Sequence, residues 1–379
     1  MKPRVLLVTF NRLFPADQGN SRRIMQLVAQ YERMGFEIDL LYHNDEGVDL
    51  SLAHATEARF GLVRVVRSRA SKRIREGHVC HIADWYDPAI EAVASAMHCL
   101  RDYKVVHINY IWYAPLLSKF GGGVLKVLDS HDVFAERSDK YRAAGMLPNW
   151  FSTTLSEEDR AFKQADAVLA IQREEAQEMV ARGHRNILYL PYVEPRVRPF
   201  SLRAGRSRPV LGYLGSANDW NVRSMQAFGA ALRQESAALP FQLVVAGGIC
   251  KHVREMPGLV TLGFVKELHT FYDSIDLAIN PMVGGTGLKI KTVEPLCYGK
   301  PVLTTPSGAQ GLQHLWTQPI FEDPEAMVRY LLGEFATQTE SELRRLAELA
   351  ASSRAALDRE YDGQIERFAA WLQASLKRA

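Results

Sequence analysis

Apolar residues come along this chain in short, nearly continuous runs, separated by stretches with helical spacing. Runs at 4–10, 37–42, 62–66, 105–109, 124–129, 167–171 and 187–190 predict strands, because a strand buried on both faces shows no polar alternation. Amphipathic patterns at 22–34, 89–101, 156–164 and 173–182 predict the helices between them. The segment 191–209 holds four prolines and five arginines with little periodicity, and reads as a connection. A second series then begins, with strands predicted at 210–214, 242–246, 260–262, 277–280 and 302–304 and helices at 222–235, 266–274 and 288–298. From 325 the pattern is helical, in segments 325–335, 340–359 and 361–376. Strands alternating with helices predict parallel sheets covered on both faces. The fold class is therefore α/β. Two doubly wound domains are expected at 1–195 and 205–360, with C-terminal helices of which 361–379 is free to pack back on the first domain.

Composition narrows the picture. The chain has 379 residues, 47% hydrophobic and 23% charged, which suits two globular domains and excludes wholesale disorder. A net charge of +3 is too small to argue for nucleic acid. Cys80, Cys99, Cys250 and Cys297 form no C-x-x-C pair and no metal spacing, so a reducing cytoplasm is expected. No apolar run approaches the length that spans a bilayer, and residues 1–10 read as a first strand, not a signal peptide. Arg64, Arg67, Arg69, Lys72, Arg73 and Arg75 gather within twelve residues. That run is either a solvated surface segment or a contact for anionic lipid at the inner face of a membrane. Nothing in the sequence fixes an oligomeric state.

One stretch carries more chemistry than the rest: Asn280-Pro-Met-Val-Gly-Gly-Thr-Gly-Leu-Lys-Ile-Lys-Thr-Val-Glu294, followed by a strand at 301–305 and a turn at 306–311. Gly284, Gly285 and Gly287 strip the loop of bulk, so a ligand can approach the backbone and unusual dihedrals cost little. A helix opening near Gly287 and Leu288 would aim free N–H groups and a partial positive charge at the loop. Lys289 and Lys291 add full charge, with a solvated helix residue as the other reading of Lys291. This combination suits an anion, most plainly a diphosphate. Glu294, further along the helix, can accept two hydrogen bonds from a ribose diol. Gly-Gly-Thr-Gly alone occurs in ordinary turns; the order of the parts describes a nucleotide-sugar site.

That order, ending in Gly299-Lys-Pro-Val302, resembles the donor half of GT-B glycosyltransferases, in particular glycosyltransferase family 4. The segments Val260-Thr-Leu-Gly-Phe-Val265, 272–281, 158–171 and Pro15-Ala-Asp-Gln-Gly-Asn20 are similar to other parts of the family, so the resemblance runs over nearly the whole chain. It implies two Rossmann-like domains facing a cleft and a nucleoside-diphosphate sugar as donor substrate. It further implies retention of anomeric configuration, with no metal and no cofactor. The sequence correspondingly offers no Asp-x-Asp in a likely loop to hold a divalent cation. The acceptor would be a glycan or a lipid-linked glycan, as in envelope polysaccharide assembly.

The resemblance also assigns residues. Glu294 matches the second glutamate of the family's pair, which engages the ribose; the first would fall at Thr286. An Arg and a Lys that grip the diphosphate would follow the first strand of the second domain. In the segment 215–223, after Gly215, Ser216 stands in the Arg place and Val222 roughly in the Lys place. Lys289 is the expected substitute, with Arg223 second, unless Arg223 is merely an exposed helix residue. His131 matches the family histidine near the sugar and β-phosphate, with Asp132 and Arg137 flanking it; His107 is expected to be structural. Gly19 belongs to the loop that faces the acceptor, and Arg22 and Arg23 could hold an acceptor phosphate. Trp85, Tyr110, Trp112 and Tyr113 are expected in the core, with stacking on a sugar as the other reading. Two further functions fit the architecture: a nucleotide-sugar epimerase, which would need cleft carboxylates that are not evident, and a non-catalytic partner subunit that binds nucleotide sugar.

Overall fold

The computed structural model describes residues 2–16, 18–44, 58–67, 79–148, 150–195, 197–200, 208–235 and 238–378. Arg69, Lys72, Arg73 and Arg75 of the basic run, and Asp17 of the 15–20 loop, lie outside them. The chain divides into two compact units, Met1–Tyr192 with Asp362–Ala379 and Val193–Tyr361.

Unit 1 runs β1 (Arg4–Thr9), α1 (Gly19–Arg33), β2 (Glu37–Asn44), β3 (Val63–Arg67), α2 (Ala89–Arg101), β4 (Val105–Asn109), α3 (Ala114–Leu117), β5 (Leu125–Asp129), α4 (Arg137–Ala143), α5 (Leu155–Phe162), β6 (Ala167–Ala170), α6 (Arg173–Ala181) and β7 (Ile187–Tyr189). Its strands pair in parallel in the order β3-β2-β1-β4-β5-β6-β7. The pleat sends alternate residues to opposite faces. Leu6 and Val8 join one core with Ile108, Leu128 and Trp112, whereas Val5 and Leu7 join the other with Ile24, Val28 and Tyr31 of α1 and with Phe368 and Leu372. Both faces are covered, which explains the unbroken apolar runs.

Unit 2 runs β8 (Val210–Leu214), α7 (Asp219–Glu235), β9 (Gln242–Ala246), β10 (Leu259–Gly263), α8 (Leu268–Ser274), β11 (Leu277–Asn280), α9 (Ile290–Cys297), β12 (Val302–Thr304), α10 (Pro324–Leu332), α11 (Glu334–Thr337) and α12 (Thr339–Leu376). Its parallel strands follow the order β10-β9-β8-β11-β12. Met225, Phe228 and Leu232 of α7 cover one face with Met327 and Leu331 of α10; Phe271, Val293 and Leu296 cover the other.

Two expectations are corrected. The segments 340–359 and 361–376 form the single helix α12, which runs through the Asp362-Gly363 pair, an ordinary turn signal that does not break it here. The helix predicted near Gly287 opens only at Ile290. Gly287 holds φ +68°, a left-handed conformation that cannot start a right-handed helix. Gly299 closes α9 at φ +65°, where an added Cβ would lie 2.2 Å from the Pro199 carbonyl oxygen. Gly299→Ala should therefore destabilise the protein by about 2–4 kcal/mol, combining backbone strain with displacement of the 197–200 segment. Urea melts measure this, and a loss within experimental error would contradict the steric reading.

Candidate functional site

In unit 2 the strand order reverses between β8 and β11, and the crevice beyond their carboxyl ends is where such a sheet offers room for a ligand. β8 leaves the sheet through Gly215, where a Cβ would come within 2.8 Å of the Tyr213 ring. β9 is followed by Gly247 at φ +91°, where a Cβ would lie 2.3 Å from the Gly215 carbonyl oxygen. The first turn of α7 is pinned to this exit. Asn221, buried, donates from Nδ2 to the Ser216 carbonyl (2.9 Å) and hydroxyl (3.2 Å).

The loop after β11 is fastened on both sides. Met282 accepts through its carbonyl from Thr305 Oγ1 (2.5 Å), and Val283 N–H donates to Ser224 Oγ (3.1 Å). Gly284 packs against the Trp220 ring so closely that a Cβ would lie 2.2 Å from Cζ3. The sequence presents that glycine as bare backbone for a ligand; its immediate neighbour is an indole. Gly285 holds φ +119°. Leu288 packs on the core face shared by α8 and α9.

The cations of this loop divide differently from expectation. Lys289, 7% exposed, turns its ammonium onto the loop, donating to the carbonyls of Thr286 (2.9 Å) and Gly287 (2.7 Å). It thereby stiffens the loop. Lys291 is not a solvated residue. Its Nζ donates to Asn221 Oδ1 and sits 5.6 Å over the Tyr213 ring. Burial pulls this ammonium down to about 7, the Lys289 charge acts the same way, and Glu294 opposes both. Arg223 is exposed on α7, and Val222 packs against the core. Glu294 is 4% exposed, and its Oε1 accepts from the Tyr272 hydroxyl at 2.5 Å. Tyr272 is itself stacked on Tyr298 at 4.4 Å. Trp220, Asn221 and Tyr272 are the residues sequence reasoning missed. Only their places, just after β8 and on the helix before β11, could have singled them out.

In unit 1 the reversal falls between β1 and β4. Gly19 and Arg22 lie in the first turns of α1, so Gly19 opens a helix and is not part of a loop. Arg23 is corrected. It is 1% exposed and grips Asp129 at the end of β5 with Nε–Oδ2 2.7 Å and Nη2–Oδ1 2.9 Å, while Nη1 donates to the Leu190 carbonyl (2.9 Å). Such a guanidinium is enclosed and cannot receive an acceptor phosphate. Burial alone would raise the Asp129 carboxyl, but Arg23 and then His131 hold it down at about 2.

His131 holds φ +62° and stacks on Tyr110, itself at φ +79°, with ring centroids 4.3 Å apart. Two strained non-glycine residues in contact mark a place whose geometry is over-determined by its surroundings. Asn109 Nδ2 donates to the Val8 carbonyl (3.0 Å), so its Oδ1 faces His131 Nε2 at 2.9 Å and that nitrogen carries the proton. Burial pulls His131 down to about 4, against the pull of Asp129, which leaves a neutral imidazole at pH 7. Asp132 Oδ1 accepts from Val133 N–H (2.9 Å), and its Oδ2 lies 3.7 Å from Arg137 Nε. His107 is fully buried on Tyr31 (2.9 Å) and is likewise pulled down to about 4 by burial. Trp85, Trp112, Tyr110 and Tyr113 are buried in the core. Among the described residues no group of three or more His, Cys, Asp or Glu is gathered for a metal, and no helix is long and apolar enough to cross a membrane.

Two consequences can be measured. Arg23→Met leaves Asp129 buried without its guanidinium and should cost about 3–5 kcal/mol in urea melts at neutral pH; an unchanged midpoint would contradict the pairing. Between pH 6.5 and about 4 the folded protein binds fewer protons at His107 and His131 than the unfolded chain does. The contribution of these residues is complete above pH 6.5 and is lost as pH falls through that window, at most about 3 kcal/mol for each histidine. The double variant His107→Asn/His131→Asn should flatten the decline in thermal midpoint, and an equally steep decline would exclude these groups.

Comparison with known proteins agrees with this fold. The family of glycosyl transferases group 1 matches residues 208–333, and the glycosyl transferase 4-like domain matches residues 18–193. No curated protein sequence matches the chain. Among solved structures, sucrose-phosphate synthase from Thermosynechococcus elongatus is similar at 14% identity and TM-score 0.72, with all of both chains covered. HepE of Anabaena, solved with UDP and glucose, is similar at 13% identity and TM-score 0.67, over 98% of this chain and 100% of its own. A TarM variant of S. aureus, solved with Fondaparinux, alpha-GlcNAc-glycerol and UDP, is similar at 9% identity and TM-score 0.69, over 98% of this chain and 100% of its own. With two parallel-sheet α/β domains and family matches across most of its length, the chain is a GT-B glycosyltransferase resembling glycosyltransferase family 4.

Proposed function

We propose that this glycosyltransferase takes a sugar from a nucleoside-diphosphate donor and passes it, with retention of configuration, to a glycan or lipid-linked acceptor. Envelope polysaccharide assembly at the inner face of the cell membrane is the setting we assign to it. One observation carries the reading: the β8–β11 crevice gathers a pinned glycine loop, lysine side chains and Glu294 in one unit. Two structural relatives hold UDP, which supports a nucleoside diphosphate as the group that fits there.

The chemistry follows from charge. Departure of the nucleoside diphosphate builds negative charge on the β-phosphate. N–H groups of the 284–289 loop and nearby ammonium groups offset it without a metal ion, and losing one such donor costs about 10²-fold in rate. Glu294, oriented by Tyr272, accepts from the ribose diol. His131, neutral and protonated at Nε2, is assigned to the donor sugar. Both oxygens of Asp129 are engaged by Arg23, so this carboxylate does not serve as a nucleophile for double displacement. A front-side reaction, in which the departing phosphate helps to deprotonate the acceptor hydroxyl, uses the groups that remain.

Calorimetry with UDP and GDP tests the assignment. Glu294→Ala removes the ribose acceptor and Lys289→Ala frees the loop, and each should weaken binding about tenfold or more. The exposed Glu348→Ala should change nothing. Unaltered affinity in both crevice variants would remove the site from this loop.

A further inference from the structure

We propose that Lys291 is the cation that meets the donor diphosphate in this chain. It would reach from α9 to the place that the Ser216 and Val222 positions leave without charge. This rests on the transferase reading above and adds to it the residue that takes the anion.

The geometry separates Lys291 from the other cations of the unit. Lys289 is turned onto its own loop carbonyls. Arg223 stands exposed on the flank of α7. Lys291 alone of these crosses the crevice. Its ammonium is held between Asn221 Oδ1 of α7 and the Tyr213 face of β8, at the strand exit where the sheet opens. Among the described residues it makes no ion pair. Its charged neighbours are Lys289, which repels it, and Glu294, which attracts it. A desolvated ammonium with an amide oxygen and an aromatic face for company carries a cost that an arriving anion would relieve. Asn221 is anchored to the Ser216 carbonyl, so the lysine is aimed and not merely present. Ser216 is small and exposed at the same exit. The serine at 216 and the lysine at 291 thus read as one rearrangement, with the charge moved from the β8 loop to α9.

The test uses the full chain, with UDP, GDP, UMP and GMP as probes in calorimetry at low salt. Lys291→Met and Lys291→Gln should each weaken binding of the bound diphosphate about 10- to 100-fold while changing the monophosphate by less than about threefold. Lys291→Arg should recover part of the loss. The Met variant should melt no lower than the parent, since it removes a desolvated charge and keeps the stem. A parent that binds neither diphosphate removes the donor-site reading and this assignment together. A parent that binds, with both neutral variants equal to it, removes this assignment alone. Equal losses for mono- and diphosphate would give Lys291 a structural role and overturn the proposal.

Discussion

Close approach of backbone at the β8 exit is the constraint on which the rest of unit 2 depends. Gly215 passes the Tyr213 ring and meets Gly247 through its carbonyl, while Gly284 lies against Trp220. At each of these places a single added carbon would meet an atom well inside contact distance. The segments after β8, β9 and β11 are therefore locked to one another before any ligand arrives. A crevice built this way is preorganised, and preorganised donors stabilise developing charge without rearranging during the reaction. Beside this exit, the Lys291 ammonium sits between Asn221 and the Tyr213 ring, and burial there lowers its hold on its proton.

Burial also sets the chemistry of unit 1. Arg23 and Asp129 pair inside the sheet, and the pair lies beside His131, whose imidazole burial keeps neutral against the pull of Asp129. A neutral ring with a fixed tautomer can donate one defined hydrogen bond and accept another. A ring free to titrate near pH 7 would do neither reliably. The left-handed backbone at Tyr110 and His131 is the steric counterpart, held by stacking and by the Asn109 contact. Each unit thus places its polar groups at the point where its strand order reverses, and in each the surroundings fix those groups more tightly than the loops alone would.

Much of this architecture was legible in the sequence. Strands at 105–109, 210–214, 242–246, 277–280 and 302–304 match residue for residue, because continuous apolar runs bounded by polar or turn residues leave little latitude. The glycine loop and Glu294 were visible for the same reason: their spacing is local. What was not legible depends on neighbours far along the chain. Arg22 and Arg23 are indistinguishable by composition, yet one is half-buried at the start of α1 and the other is enclosed on Asp129. Gly284 reads as room for a ligand until Trp220 is seen on it. Lys289 turns onto its own loop carbonyls and Lys291 reaches Asn221 of α7, a division that depends on where α9 opens, at Ile290 after the left-handed Gly287. Local pattern determined the frame, and tertiary contact decided which charge faces the crevice.

The most direct test of the central claim is a crystal structure of the protein with a nucleoside diphosphate bound. The account predicts the β-phosphate at the carboxyl ends of β8 and β11, within hydrogen-bond reach of loop amides and the Lys291 ammonium, with the ribose on Glu294. Phosphates bound elsewhere in the molecule, with Lys291 still on Asn221 and Trp220 still closing Gly284, would contradict it.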